Sequence, residues 1–343
     1  MPRPLSRLQP GLPGGSALSG ASPSGRLRRA AAFGVALAAA GVALSACAPV
    51  HAGAAATVGS DRITTGQVKD LVQRTLADPT FAAKGGADVS SVQREELTNL
   101  VQHKLLDLAA AQEHVSVSDG EVSTQISSIQ QQEGSKELLE ADAAKNGIAP
   151  SDIRDYFYYN LLEQKLAPKI TTPVVHAAHI LVKDKATADK ILAEVQADPS
   201  QFEGIAKSQS TDTQSGANGG DLGTVPSIEY VAEFATAVDS AKVGSYFVVQ
   251  SQFGWHVVHL ISRTSESLQD LATQAQQSGD SNAQQVVGEV MSRYLESVAK
   301  NAGGISVNPR YGTWDPAQAA VVASTGSLVS SAPSQSAPQP VGS

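Results

Sequence analysis

Of the seven histidines in this 343-residue chain, four lie in two short apolar stretches, HAAHILVK from His176 to Lys183 and FGWHVVHL from Phe253 to Leu260. An imidazole donates and accepts hydrogen bonds at once, and it changes charge within the physiological pH range. Read as β-strands, the two stretches alternate. His179 shares a face with Val175, Ala177 and Leu181, while His176 goes with Ala178, Ile180 and Val182. In the second stretch His256, Val258 and Leu260 share one face and Trp255, Val257 and His259 the other. One histidine from each strand can therefore meet its counterpart in a single site.

Such a pair admits several chemistries. Each imidazole alone reads as a satisfied core histidine. A metal centre needs further ligands, but neither strand carries Cys, Asp or Glu at ligand spacing, and no His-Glu-x-x-His helix exists. A serine-type triad lacks its Gly-x-Ser-x-Gly elbow. The Gly-rich SGANGGDLG is neither G-x-G-x-x-G nor followed by Lys-Ser/Thr, so it is not a phosphate cradle. Aromatic residues make up only 5% of the chain, which marks those near the histidines as candidate pocket walls.

The elements that must position these residues fall into three zones. From 57 to 170 the pattern is helical: Leu97, Leu100, Val101, Leu105 and Leu108 recur at helical spacing, with a capping box predicted at Ser90 and Gln93. Ser118 and Glu121 predict a second capping box before Val122, Ile126 and Ile129. A further helix through Ile153, Phe157, Leu161 and Leu162 follows Pro150-Ser151 and stops near Pro168. The middle zone, 174–263, reads strand, helix (187–195), a stretch through 202–206 into the Gly-rich loop, and a closing strand. In 264–323, Ala283, Val286, Val287, Val290, Tyr294 and Val298 predict one amphipathic helix before the strand-like GISVNPRYGTWD. One helix and one strand bury little alone, so this piece is expected to pack on 57–170, leaving the middle zone inserted in an outer module. The expected fold class is α+β.

The chain ends carry different signals. Arg26, Arg28 and Arg29 precede an uncharged Ala-rich run from Ala30 to Ala46, the layout of a signal peptide rather than a membrane span. Leu44-Ser45-Ala46-Cys47 resembles the lipobox of bacterial lipoproteins, which implies that Cys47, the sole cysteine, is lipidated after removal of residues 1–46. The alternative is ordinary cleavage beside Ala46-Cys47-Ala48 with Cys47 discarded. Residues 47–56 read as a flexible tether, and 324–343 as a Ser/Pro/Gln/Gly-rich disordered tail. Removing residues 1–46 takes away five arginines and no acids, moving the net charge from −8 to −13. No basic patch speaks for nucleic acid.

HILV at His179, GGDLG at Gly219–Gly223 and FGWHVV at Phe253, in that order and spacing, resemble the parvulin-type peptidyl-prolyl isomerase domain. The outer zone, through VGSDRITTGQV and the overall layout, resembles the SurA/PrsA class of exported foldases, in which a helical chaperone region surrounds such a domain. The resemblance implies that His179 and His256 are the paired histidines of the catalytic pocket. Asp212 or its neighbour Thr213 falls where that family has Cys or Asp, with Asp212 favoured, and Ser251 is the hydroxyl residue before the second histidine. Leu222, Tyr230 and Phe234 match the apolar walls that receive the proline ring. Tyr230 departs from the usual Met or Leu, and GSYFVVQ from the family's Gly-Glu-x-Ser-x-Pro-Val.

The implied activity is cis/trans isomerisation of X-Pro bonds with no cofactor or metal. The implied partners are unfolded, proline-containing exported polypeptides, met at the outer face of the cell membrane. A non-catalytic, peptide-holding chaperone is the alternative. A small-ligand-binding lipoprotein would call for two α/β lobes, which the helical first zone does not suggest.

Overall fold

The structure, a computed structural model, describes residues 53–77, 88–146 and 148–324. The expected signal peptide, Cys47 and the tail from 325 lie outside the described residues. The chain enters through β1 (Ala54–Val58) and β2 (Asp61–Thr64), an antiparallel hairpin, followed by α1 (Thr65–Ala77) and α2 (Val89–Gln112). Ala54, Ala55 and Ala56 are fully buried, so the expected tether ends before them. The capping box expected at Ser90 does not form. Helix α2 starts two residues earlier, with Asp88 as its N-cap, whose carbonyl accepts from the Ser91 and Val92 N–H groups, and Ser90 falls inside the first turn.

Three more helices complete this part: α3 (Asp119–Glu133), α4 (Lys136–Lys145) and α5 (Ile153–Leu166). At α3 the capping box does form. Ser118 Oγ accepts from the Glu121 N–H while Glu121 Oε2 accepts from the Ser118 N–H at 2.8 Å, satisfying two otherwise orphaned donors.

The inserted domain runs β3 (Thr171–Val182), α6 (Lys185–Ala197), α7 (Phe202–Gln209), α8 (Thr213–Ala217), β4 (Asp221–Pro226), α9 (Ala232–Ser240), β5 (Tyr246–Ser251) and β6 (Gly254–Ser267). Its sheet is antiparallel in the order β4-β3-β6-β5. The alternation read from the sequence sorts two cores. Ala178, Ile180, Val182 and Val257 pack on Ala188, Ile191 and Val195 of α6 and Phe202 and Ile205 of α7. On the opposite face Val175, Ala177, Val258 and Leu260 pack on Phe234 and Val238 of α9.

After β6 the chain returns through two helices, not the one expected: α10 (Leu268–Ser278) and α11 (Ser281–Ala302). Helix α10 buries Leu268, Leu271, Ala272 and Ala275 along one face, an apolar stripe at helical spacing that was there to be read in the sequence. Strand β7 (Ile305–Val307) then pairs antiparallel with β1, giving a sheet ordered β2-β1-β7, and β8 (Thr313–Asp315) pairs with β9 (Ala320–Val322). Val286, Val287, Val290 and Val298 of α11 share one core with Leu97, Val101 and Leu105 of α2. The two ends of the chain thus build a single outer module, and the fold is α+β with an inserted domain.

Two junctions join the parts. Strands β3 and β6 stay paired from Val182↔Trp255 down to Thr171↔Ser267, and the Leu268 N–H then donates to the Ile170 carbonyl at 2.8 Å. Both connections of the inserted domain are therefore one hydrogen-bonded ribbon. Separately, Ile228, in a 3-10 turn at Ser227–Glu229, is 6% exposed and buried in the outer module's core.

Candidate active site

The register places His179 opposite Val258 and Leu181 opposite His256, so the two histidines are diagonal neighbours on one face of the central strand pair. Their Nδ1 atoms stand 2.9 Å apart, with His179 6% and His256 4% exposed. His179 Nε2 lies 2.9 Å from both Asp212 Oδ2 and Ser215 Oγ, and the Ser215 hydroxyl donates to Asp212 Oδ2 at 2.6 Å. At the other end Ser251 Oγ lies 2.8 Å from His256 Nε2 and accepts the Phe253 N–H at 3.1 Å.

These contacts assign the tautomers by elimination. An ionised Asp212 only accepts, so His179 carries its proton on Nε2, and its bare Nδ1 accepts from His256 Nδ1–H. The bare Nε2 of His256 then accepts the Ser251 hydroxyl. Every donor points the same way, from Ser251 to Asp212.

The electrostatics agree with two neutral rings. Burial lowers the His179 pKa, against the opposing pull of Asp212. Burial first, and the neighbouring His179 next, lower His256 to about 4. For Asp212 burial works upward, but hydrogen bonds from Ser215, His179 and the Ser215 and Gln214 N–H groups outweigh it and hold the carboxyl at about 2. Those two backbone N–H groups exist because Asp212 is the N-cap of α8, so one side chain both starts a helix and orients an imidazole.

Apolar groups surround the pair. The Phe234 ring stands edge-on, its centroid 5.4 Å from His256 and 6.1 Å from His179. Tyr230 lies 4.7 Å from Phe234, and Leu222 and Tyr230 both pack, partly buried, on the cluster of Val175, Ala177 and Phe234. A tight loop holds His179 from behind: its N–H donates to the Gly220 carbonyl at 2.8 Å, and Gly220 has φ +87°. A Cβ on Gly220 would lie 2.4 Å from the His179 carbonyl oxygen, so only glycine fits there.

All seven residues expected at the pocket, His179, Asp212, Leu222, Tyr230, Phe234, Ser251 and His256, are thus gathered on one side of the sheet, while Thr213, the alternative to Asp212, begins α8. Ser215 was not anticipated. Its signal is the Asp-x-x-Ser spacing of an N-capped turn, which puts the hydroxyl back beside the cap. The other two histidines of these strands stand outside the pair. His176 Nε2 contacts Asp221 Oδ1 at 2.8 Å, and His259 stacks on Tyr246 at 4.3 Å.

Residues 161–264 match the family described as the PPIC-type PPIase domain, and residues 30–167 the SurA-like N-terminal domain. A probable parvulin-type peptidyl-prolyl cis-trans isomerase of Bordetella bronchiseptica is 30% identical over 214 residues, which is 62% of this chain and 78% of that one. Foldase protein PrsA 1 of Bacillus cereus is 30% identical over 227 residues, 63% of this chain and 74% of its own. The crystal structure of peptidylprolyl isomerase (PrsA) from Bacillus anthracis is 24% identical and covers 61% of this chain and 99% of its own, with a TM-score of 0.35.

Proposed function

The chain belongs to the parvulin-type peptidyl-prolyl cis-trans isomerases, and from that premise we propose that it is an extracytoplasmic foldase. In this reading it is anchored through lipid on Cys47, turns X-Pro bonds of exported polypeptides and holds those clients on its helical outer module. The observation that carries the catalytic half is the neutral His179–His256 pair walled by Phe234. Export and anchoring are supported by the Arg-led apolar run and the sequence around Cys47. The holding role is supported by the SurA-like match and by the foldase name of the Bacillus cereus relative.

The reaction asks little of covalent chemistry. Rotation about a peptide C–N bond faces a barrier of about 18–20 kcal/mol because amide resonance must be lost, and no bond is broken. A proline ring seated against Leu222, Tyr230 and Phe234 leaves water, and an apolar slot disfavours the charge-separated planar amide relative to the twisted one. The histidine pair adds oriented dipoles at the slot floor without a net charge. Asp212 and Ser215 fix one end of that chain of donors, and Ser251 the other. Their role is to hold both tautomers.

The test uses a version lacking residues 1–47, beside the same version with His256→Ala, on a proline-containing peptide. Acceleration by the first and its loss in the second supports the reading. No acceleration with any residue before proline, together with suppressed aggregation of an unfolded protein, would replace it with a peptide-holding chaperone. Membrane fractionation of the full chain against Cys47→Ala tests the anchor. Multiple acyl chains hold a protein on a bilayer stably, where one does not.

A further inference from the structure

The Tyr230 hydroxyl is buried and has no hydrogen-bond partner. Nearly all buried polar groups are paired, and an orphan in a native fold calls for a reason. Leaving it unpaired is destabilising, and the apolar wall would be served as well by Phe or Leu. The ring rests 4.7 Å from Phe234, which in turn stands edge-on to both histidines, so the side chain that carries the orphan is part of the pocket wall rather than of a remote core. Burial, reinforced by the nearby carboxylates Glu229 and Asp221, pushes the phenol up to about 12, so it remains a donor throughout the physiological range.

We propose that Tyr230 is a client-binding residue of the prolyl pocket: its hydroxyl, buried in the free protein, turns outward when a client enters and donates to a main-chain carbonyl of that client, a bond that the free protein lacks. The inference rests on the isomerase reading above and adds a polar contact to an apolar slot. Chemistry selects which carbonyl. A donor on the oxygen of the residue before proline would stabilise the charge-separated planar amide and oppose rotation, because that form places negative charge on this oxygen. The proline's own carbonyl, one bond further along the chain, takes no part in the resonance of the turning bond. A hydrogen bond there grips the client without holding the bond planar.

The test compares the wild-type chain, Tyr230→Phe and Tyr230→Leu on two peptides. One is ordinary, and the other carries a thioamide, a weaker acceptor, at the proline's own carbonyl. On the ordinary peptide Tyr230→Phe is expected to lower kcat/KM about three- to tenfold, the range for one neutral hydrogen bond, with Tm unchanged or raised because an orphan has been removed. Tyr230→Leu should lower it at least as far. Wild type should fall on the thioamide peptide, while Tyr230→Phe treats both peptides alike. The inference is overturned if Tyr230→Phe stays within about twofold of wild type on the ordinary peptide, or if its loss relative to wild type is the same on both. A wild-type chain inactive on the ordinary peptide would instead remove the isomerase reading itself.

Discussion

The Nδ1 atoms of His179 and His256 lie 2.9 Å apart, a separation that places one proton between two imidazoles. The pair therefore behaves as one unit: protonating its accepting nitrogen would face two N–H groups toward each other. Catalysis in this pocket should depend on the rings staying neutral and in register, rather than on either acting alone as an acid or a base.

Replacing His256 with Ala is expected to lower kcat/KM for a prolyl peptide by at least about tenfold, and His179→Ala similarly, because each variant leaves the other ring with an unsatisfied buried nitrogen. Ser251→Ala removes only the outermost donor and should cost about two- to fivefold. Protease-coupled isomerisation kinetics would separate the two classes, and equal losses would show that the pair is not the centre of the site.

The pH profile follows from His256, which burial and His179 bring to about 4 against an ordinary 6.5. Below pH 6.5 the unfolded chain takes up the proton first, so the fold loses stability as pH falls from 6.5 to about 4 and is flat with respect to this group above 6.5. The loss should be on the order of 2 kcal/mol, and His256→Phe should remove that part of the slope in urea midpoints. Activity should be level from about pH 8 to 6 and fall below about 5.

Gly220→Ala puts a Cβ 2.4 Å from the carbonyl of His179 at a φ of +87°. It is expected to cost about 3 kcal/mol in chemical denaturation and to lower activity in the fraction that folds, since the displaced residue carries the buried imidazole. Gly223→Ala is the control. Its φ is +74° but the space around it is open, so only the conformational cost of about 1 kcal/mol remains.

Burial pushes Glu163, on the outer module's α5, up to about 7 from an ordinary 4.5. The folded state thus binds a proton that the unfolded state releases, and this contribution is lost as pH rises through 7. Glu163→Gln should raise stability at pH 8 by about 1–2 kcal/mol, discounted because the residue keeps partial contact with solvent, and the gain should vanish by about pH 4.5. Thermal unfolding at the two pH values checks it.

Strand alternation made it legible that one histidine of each strand could meet one of the other, and the parvulin resemblance, not the period of two, singled out His179 and His256. The Ser118–Glu121 start was legible for a similar reason, since both partners of its hydrogen bonds are local. What escaped depended on distant packing. Ala54–Ala56 look like a tether, because alanine has little preference for strands, yet they occupy the middle strand of the β2-β1-β7 sheet, whose third strand lies about 250 residues away. Ile228 is one apolar residue in a polar turn, and nothing local tells that its burial is supplied by another module. The Ser90 start failed because the helix begins two residues upstream, where Asp88 is the N-cap without a side-chain capping bond and only its backbone carbonyl accepts the first helical N–H groups.

The ribbon of β3 and β6 has a geometric consequence for a client that is held and turned at once. A flexible linker would let the prolyl slot search a volume around the helices, offering every proline some effective concentration. Strands paired to their last residues, with Ile228 seated in the far core, fix the span between slot and helices instead. Under the proposed holding role the assembly would work as a ruler: a proline at the matching distance along the chain from the gripped segment would be presented again and again, and one at the wrong distance would gain nothing from being held.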